Sequence, residues 1–479
     1  MRRILALALS VVAAGAMPAG NSPLWGEQGE RLDRERLPDF SYAGYHRGEA
    51  PIPEIAQATS VKDFGAVGDG VADDTAAIKQ AIDATKAGAV FLPAGTYKIT
   101  DFIWIGKPGV VLRGAGPERT ILWFPRGLDE IHPREMHESR GLPTSGYSFD
   151  GAFVTIIGKY GNRPLAKIAA VAPRGGRSVS VDDASRLKVG QWLLVHAHED
   201  AGQSLKTYLY SGDPGDVSHG KPLDTKMLVR VVAIEGTRVT LDRPLRFETR
   251  AAWDCALESF EPTVSECGIE EIGFKFPAIK YRGHFHENGA NAIELRNVAN
   301  CWVRNVHLHN ADFGVNIVAC QNTVDGVVIT ADAARAENEP GNVACSGHHA
   351  FQCKEAEDNF ITHFDIRTCY IHDLSVEHAS GNVYADGHGQ NLCFDHHKDT
   401  PYENLYTALD CGEGTRVWVC GGGAGLGRQC AGYGTFWGIS AKRPVKAPPA
   451  GWGPATMVFA PEAEPRDLRA AQAEVRQRK

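Results

Sequence analysis

Four segments in the second half of the chain share one spacing of apolar residues: GIEEIGFKF from Gly268, CWVRNVHLH from Cys301, NTVDGVVIT from Asn322 and NFITHFDIR from Asn359. Ile269, Ile272 and Phe274 in the first match Val303, Val306 and Leu308, then Val324, Val327 and Ile329, then Ile361, Phe364 and Ile366. The first positions lie 34, 21 and 37 residues apart. A second apolar run follows each of the four, NAIELRN, GVNIVAC, HHAFQCK and HDLSVEH, and a fifth, QNLCFDHH, comes after them. Short strands that return as one coil-sized unit can bury their apolar side only by stacking on the next unit, which is the signature of a β-solenoid. The 52 glycines and 26 prolines suit many short strands and tight corners and argue against a helical bundle.

The first half opens differently. VKDFGAVGDGVADDTAAIKQAID, from Val61 to Asp83, reads as a strand, a glycine-rich turn and an amphipathic helix carried by Ile78, Ala81 and Ile82. VFLPAGTY and VVLRGAG follow as strands joined by turns, with no room for crossover helices. These three ordered motifs resemble the opening segment of the pectate-lyase superfamily. The resemblance implies an all-β fold: a single-stranded right-handed parallel β-helix whose N-terminal helix covers the open end of the solenoid. It does not specify an activity, because lyases, glycoside hydrolases, epimerases and phage tailspikes are alike here. Asp69, Asp73 and Asp74 are read as turn and cap residues and not as a catalytic or calcium site.

Six regions are expected: a secretory signal peptide over 1–16, an extension over 17–57, the cap and first coils over 58–170, a small inserted antiparallel β-barrel over 171–247, the main solenoid over 248–460 and a polar tail, helical or frayed, over 461–479. The signal rests on MRRILALALSVVAAGA, whose apolar run is too short to span a bilayer. It implies a secreted or periplasmic protein that keeps no membrane anchor after cleavage. The barrel rests on WLLVH, LVRVVAI and RVTLDRPL, and the polar loop from Gln203 is open to two readings, an overhang on a substrate groove or a solvated excursion. A net charge of −8 gives no basic surface for nucleic acid. All eleven cysteines fall in the second half, which excludes a disulfide framework for the whole chain; the odd count means that at least one is free or pairs between chains, the pairing of the rest stays open, and the lack of a C-x-x-C pair gives a zinc ribbon no support. Whether the chain is a monomer or a trimer stays open.

Chemistry is sought where outward side chains of stacked strands form ladders, about 4.8 Å per step. Between His348 and His397 lie eight of the 18 histidines, interleaved with acids and an arginine. The strand alignment places Leu374, Val376 and His378, then Leu392, Phe394 and His396, inward, and Ser375, Glu377, Asp395 and His397 outward. The catalytic candidates are His349 and His397 as base, Arg367 as neutraliser of a sugar carboxylate, and Glu377 with Asp395. Asn316, Gln352, His348, His372 and Asp373 are the substrate-binding candidates. The favoured reading is β-elimination on a uronic-acid polysaccharide, which needs a base and a neutralised carboxylate. The alternatives are a glycoside hydrolase, with Glu377 and Asp395 at matched places roughly 5 Å apart, and a non-catalytic carbohydrate-binding solenoid. No metal ligand or cofactor is assigned; the resemblance to calcium-dependent pectate lyases leaves calcium open.

Overall fold

A computed structural model of the chain describes residues 22–26, 28–29, 36–136, 138–139, 141–219, 222–336 and 344–478. The 1–16 signal segment lies outside them. Two parallel sheets and one antiparallel sheet carry the architecture, with a two-stranded ribbon beside them. One parallel sheet has 16 strands and wraps two faces of a solenoid; the other has seven and forms the third face. This is a parallel β-helix.

The apolar spacing has a local cause. Gly268–Lys275, Trp302–His309 and Thr323–Thr330 pair in register, so Ile269, Val303 and Val324 form one inward rung and Ile272, Val306 and Val327 the next. Between these rungs Glu271, Asn305 and Gly326 sit in the left-handed region at φ 60°, 48° and 70°. One such residue turns each strand from the first face to the second, which stretches the inward interval from two residues to three. His363 and Asp386 continue the same corner at φ 50° and 47°.

A second corner is held by stacked amides. Asn322, Asn359, Asn382 and Asn404 are fully buried, and each of the first three donates its side-chain amide to the side-chain oxygen of the next at 2.9–3.1 Å. That same oxygen accepts a backbone N–H from the coil before, as Asn359 Oδ1 does from Asn322 N at 3.0 Å. Buried corner groups that no sheet pairs are thereby satisfied.

The opening helix, Thr75–Ala84, buries Ile78, Ala81 and Ile82 against the first coils. Asp74 precedes it but makes no side-chain bond to the helix; it is 1% exposed and accepts from Gly68 N at 3.0 Å and from Val67 N. Asp73 accepts from Thr75 N at 3.1 Å, and Asp69 closes a turn on Val71 N and Ala72 N. The acidic stretch thus ties a loop to a helix start. Asp74→Ala would leave two donors unsatisfied and should lower stability by about 1–3 kcal/mol. Turnover per folded molecule should stay normal; a folded, inactive variant would return the stretch to the chemistry.

The inserted sheet runs Pro164–Lys167, Ala256–Ser259, Trp192–His198, Asp224–Glu235, Arg238–Leu241 and Ser178–Ser180 in spatial order, and an antiparallel bridge between Ile168 and Val181 joins its two ends. It is wider than the expected 171–247, because the strand at 256–259 pairs with the central strand on one side and with the strand at 164–167 on the other. The excursion after Gln203 contains a helix, Ser204–Leu209, whose Leu205 and Leu209 enter the barrel core. Asp213 then binds Arg428 at 2.7 Å. It is a docked element and not a solvated loop.

The tail is helical from Leu468 to Gln477. Leu468 and Gln472 are buried, and Gln472 bridges Phe40 N and Pro38 O, each at 2.8 Å, so the helix packs on the N-terminal extension. All eleven cysteines are free thiols, and all but the half-buried Cys420 lie in the core. They act there as small apolar side chains.

Candidate active site

The seven-stranded face includes Asn291–Ala299, Phe313–Cys320, His349–Lys354, His372–Glu377 and Phe394–His396. Its register stacks Glu294, Asn316, Gln352, Ser375 and Asp395 in one row. The row turns away from the apolar core, yet every member is 3% exposed or less. A second outward row is half-buried and reaches the surface: Arg296 stacks on Val318, Lys354 on Glu377, and His397 follows the last strand. The inward rungs are Leu374 with Phe394 and Val376 with His396. The alignment from sequence kept the faces of the strand residues but placed His378 inward, and it paired Leu374 with Leu392, two residues off.

Where the buried row ends, side chains converge. Asp395 accepts from His397 Nδ1 at 2.9 Å, from Gly421 N at 2.6 Å and from the Ser375 hydroxyl, and its Oδ2 lies 3.3 Å from His372 Nδ1. Ser375 Oγ also meets His349 Nδ1 at 3.0 Å. Burial alone would raise the Asp395 pKa; the neighbouring His372 and His397 rings, the second hydrogen-bonded to it, outweigh burial and hold the carboxyl well below its ordinary range. Burial opposes charge on His397 too, but Asp395, and then Glu377, raise its pKa, while Lys354 works against them. His348 and His349 are pushed well below the ordinary histidine value, by burial first and by neighbouring imidazoles second. Two rings stay neutral while a third is biased toward charge.

Further residues join from outside the expected region. His284 Nε2 lies 3.0 Å from His348 Nε2, and Glu287 Oε1 lies 3.6 Å from His348 Nδ1. Burial, with the charge of Asp312 second, lifts the Glu287 carboxyl to about 8. A glycine-rich turn covers the cluster: a side chain at Gly421 would stand 2.2 Å from the His397 ring and 2.8 Å from His372. Only glycine fits there. His284 lies in the histidine-bearing loop RGHFHENG, and nothing local in CGGGAGLG marks it as a roof.

Several expected roles do not hold. Arg367 follows a strand of the other sheet, is 59% exposed and pairs with Asp365 at 2.6 Å, so it cannot meet a carboxylate at the cluster. Asp373 is a structural anchor that accepts from Tyr370 N at 3.0 Å and Cys393 N at 2.9 Å beside Arg416. Glu377 and Asp395 are not matched: Asp395 stands opposite Ser375, and Glu377 pairs with Lys354 at 3.1 Å. Asn316 and Gln352, expected to bind substrate, stack on each other in the outward row but are buried. His378 passes the end of its strand and turns to the barrel, meeting the Asp224 carbonyl at 2.9 Å.

Among the described residues, three groups of side chains could hold a metal ion: His284 with His348 and His372, His372 with Asp395 and His397, and His196 with His198 and Asp224. All are nitrogen-rich. Calcium prefers six to eight oxygens, which none of these groups offers.

Comparison with known proteins bears on the opening coils. Residues 58–133 match the family described as rhamnogalacturonase A/epimerase, pectate lyase-like. The first coils are pectate lyase-like. Over 97 residues the chain is 41% identical to mannuronan C5-epimerase AlgE4 of Azotobacter vinelandii, covering 18% of each. Over 112 residues it is 38% identical to alginate lyase 7 of the same organism, covering 22% of this chain and 13% of that protein. The chain therefore spans less than a fifth of the length of these relatives. Among solved structures, an exopolygalacturonase from Thermotoga maritima is similar at TM-score 0.43 and 9% identity, over 81% of this chain and 73% of that one. The tailspike gp49 of Pseudomonas phage LKA1 reaches 0.44 at 14% identity, over 80% and 63%.

Proposed function

We propose that this pectate lyase-like protein is an exported enzyme that cleaves a uronic-acid polysaccharide by β-elimination, with His397 as the base. The observation that carries this reading is the placement of His397. Alone in the Ser375–Asp395–His349–His372–His397 cluster it reaches the half-exposed row, at 18% side-chain exposure, with Nδ1 fixed by Asp395 at 2.9 Å. Nε2 is then the atom that can take a proton. Lys354, close enough to act on the charge of His397, replaces Arg367 as the cation that meets the sugar carboxylate.

The step removes the proton from the carbon beside the carboxylate. Its electron pair passes first into the carboxylate, which Lys354 stabilises, and then forms a double bond as the neighbouring glycosidic oxygen leaves. The leaving oxygen takes up the proton that balances the step. A second reading shares the first half: reprotonation from the opposite face would invert the carbon instead of cleaving. The similarity to mannuronan C5-epimerases favours it. Hydrolysis by two carboxylates draws less support, since Asp395 is enclosed, held charged and unmatched to Glu377.

The test offers alginate, polymannuronate and polygalacturonate in parallel. Ultraviolet absorbance of an unsaturated uronyl end reports elimination, and proton NMR of the ring reports inversion. New reducing ends without unsaturation, or no change in any acidic polymer, would overturn the proposal.

A further inference from the structure

The three metal-capable groups differ in one respect. His196 already bonds Glu258 at 2.9 Å through Nδ1 and Asp224 at 3.1 Å through Nε2. Asp395 and His397 bond each other. In the remaining group, His348 and His372 are 2% and 3% exposed, yet His348 Nδ1 and both nitrogens of His372 make no hydrogen bond among the described residues. Leaving such nitrogens buried and unused is costly.

We propose that His284, His348 and His372 form a binding site for a zinc-class divalent metal ion. Their ligand atoms all lie within 4.8 Å of one another, with the His284 and His348 Nε2 atoms 3.0 Å apart. Zinc bound by nitrogens at about 2.0–2.1 Å in tetrahedral geometry sets those nitrogens about 3.4 Å apart. Only small rotations of the rings separate the present arrangement from that one. Two apposed ring nitrogens need something between them, either one shared proton or a cation.

The outer surroundings fit the same ion. Glu287 faces the far nitrogen of His348 at 3.6 Å, and Asp395 faces that of His372 at 3.3 Å. A carboxylate behind a ligating histidine fixes the tautomer and turns the other nitrogen to the metal. Two ligands come from successive coils, since His372 N donates to the His348 carbonyl at 2.8 Å, so the ladder itself sets their separation. The third comes from the loop before Asn291, where Phe285 stacks on the His284 ring at 3.8 Å. Three imidazoles with one position left for an exchangeable oxygen ligand suit zinc, not calcium or magnesium.

This proposal rests on the geometry of the three rings and not on the elimination reading. The full-length protein, stripped with chelator, is titrated with Zn²⁺ and with Co²⁺. One equivalent per chain is expected, with visible cobalt bands of tetrahedral type and a rise in unfolding temperature. His284→Ala, at the half-buried edge where folding should survive, is expected to abolish binding, and Glu287→Gln to weaken it roughly 10–100-fold. His196→Ala and His397→Ala should each still bind one equivalent, and the second separates a failed metal site from a failed reaction. Less than a tenth of an equivalent in the parent protein would overturn the proposal. So would full binding by His284→Ala, or binding lost in His196→Ala or His397→Ala instead.

Discussion

Replacing His397 by alanine is expected to lower turnover on an acidic polysaccharide by about 10²–10⁴-fold with little change in binding. The ring has one nitrogen committed to Asp395 and a side chain that reaches the surface row, so its loss removes the base without opening the core. The pH profile gives an independent check. The folded pKa of His397 is raised, so the ring is a cation at low pH and becomes a base only as pH climbs through that raised value. Turnover should therefore rise with pH, with its midpoint above the ordinary histidine value of about 6.5. Asp395→Asn removes the negative charge that holds the midpoint up, so in that variant the rise should shift toward lower pH and lose amplitude. Full activity in His397→Ala, or an unmoved profile in a folded Asp395→Asn, would dismiss this base. Glu377→Gln separates the hydrolase reading: its product should remain unsaturated.

The largest loss of stability is expected far from the chemistry, where the inserted barrel meets the solenoid. Arg243 and Arg246 leave the barrel and converge on Asp358; the Arg243 contact is 2.8 Å, and all three side chains are 4% exposed or less. Opposing charges hold the Asp358 carboxyl below its ordinary range, though burial alone would raise it. Arg246 has further support from Ser380 at 3.1 Å and Glu403 at 3.4 Å. Arg243 has weaker further support, a stacking contact with Tyr42, a distant carbonyl at 3.5 Å and the more remote charge of Asp39. Asp358→Ala leaves a buried guanidinium uncompensated and should cost about 3–5 kcal/mol, read by denaturant unfolding. The double variant Asp358→Leu with Arg243→Met should recover most of that, since an apolar pair of similar size avoids burying charge. A loss under 1 kcal/mol would mean that water reaches these groups. Either way the barrel is fastened to the coils through its charges as well as through its apolar contacts.

The coil architecture was legible because inward apolar residues repeat and their period is forced by geometry. The three-residue interval from Ile269 to Ile272 was visible as a pattern; its cause, one left-handed residue at each corner, was not. Asn322, Asn359, Asn382 and Asn404 each stand two residues before an inward residue, a signal in plain view once the corner is known. The site was legible only as a composition. Eight histidines between His348 and His397 divide among four environments. Four join the cluster or its edge, His363 and His388 pair with acids on another face, and His378 turns to the barrel. His396 lies inside the core among Tyr406, Phe436 and Trp452, where burial presses its pKa to about 3. Sequence proximity could not separate these, because neighbouring residues on a coil face opposite sides and a turn of the solenoid carries them to different faces. His284 and Gly421 reach the cluster from loops whose path depends on the whole fold.

The buried asparagine column carries a consequence for how such a chain can change in length. Asn322, Asn359 and Asn382 each lean on the next turn, and the oxygens of Asn359, Asn382 and Asn404 each accept a backbone N–H and a side-chain amide from the turn before. A partial insertion at the corner shifts an amide out of line and leaves two donors stranded. A whole turn, 23 residues from Asn359 to Asn382 or 22 from Asn382 to Asn404, restores the column unchanged. The 37 residues from Asn322 to Asn359 show the same column tolerating a long detour elsewhere on the turn. Growth and loss in this scaffold should therefore come in whole turns: a complete turn keeps every bond of the column, while a change of a few residues at the corner strands buried donors at a cost in stability.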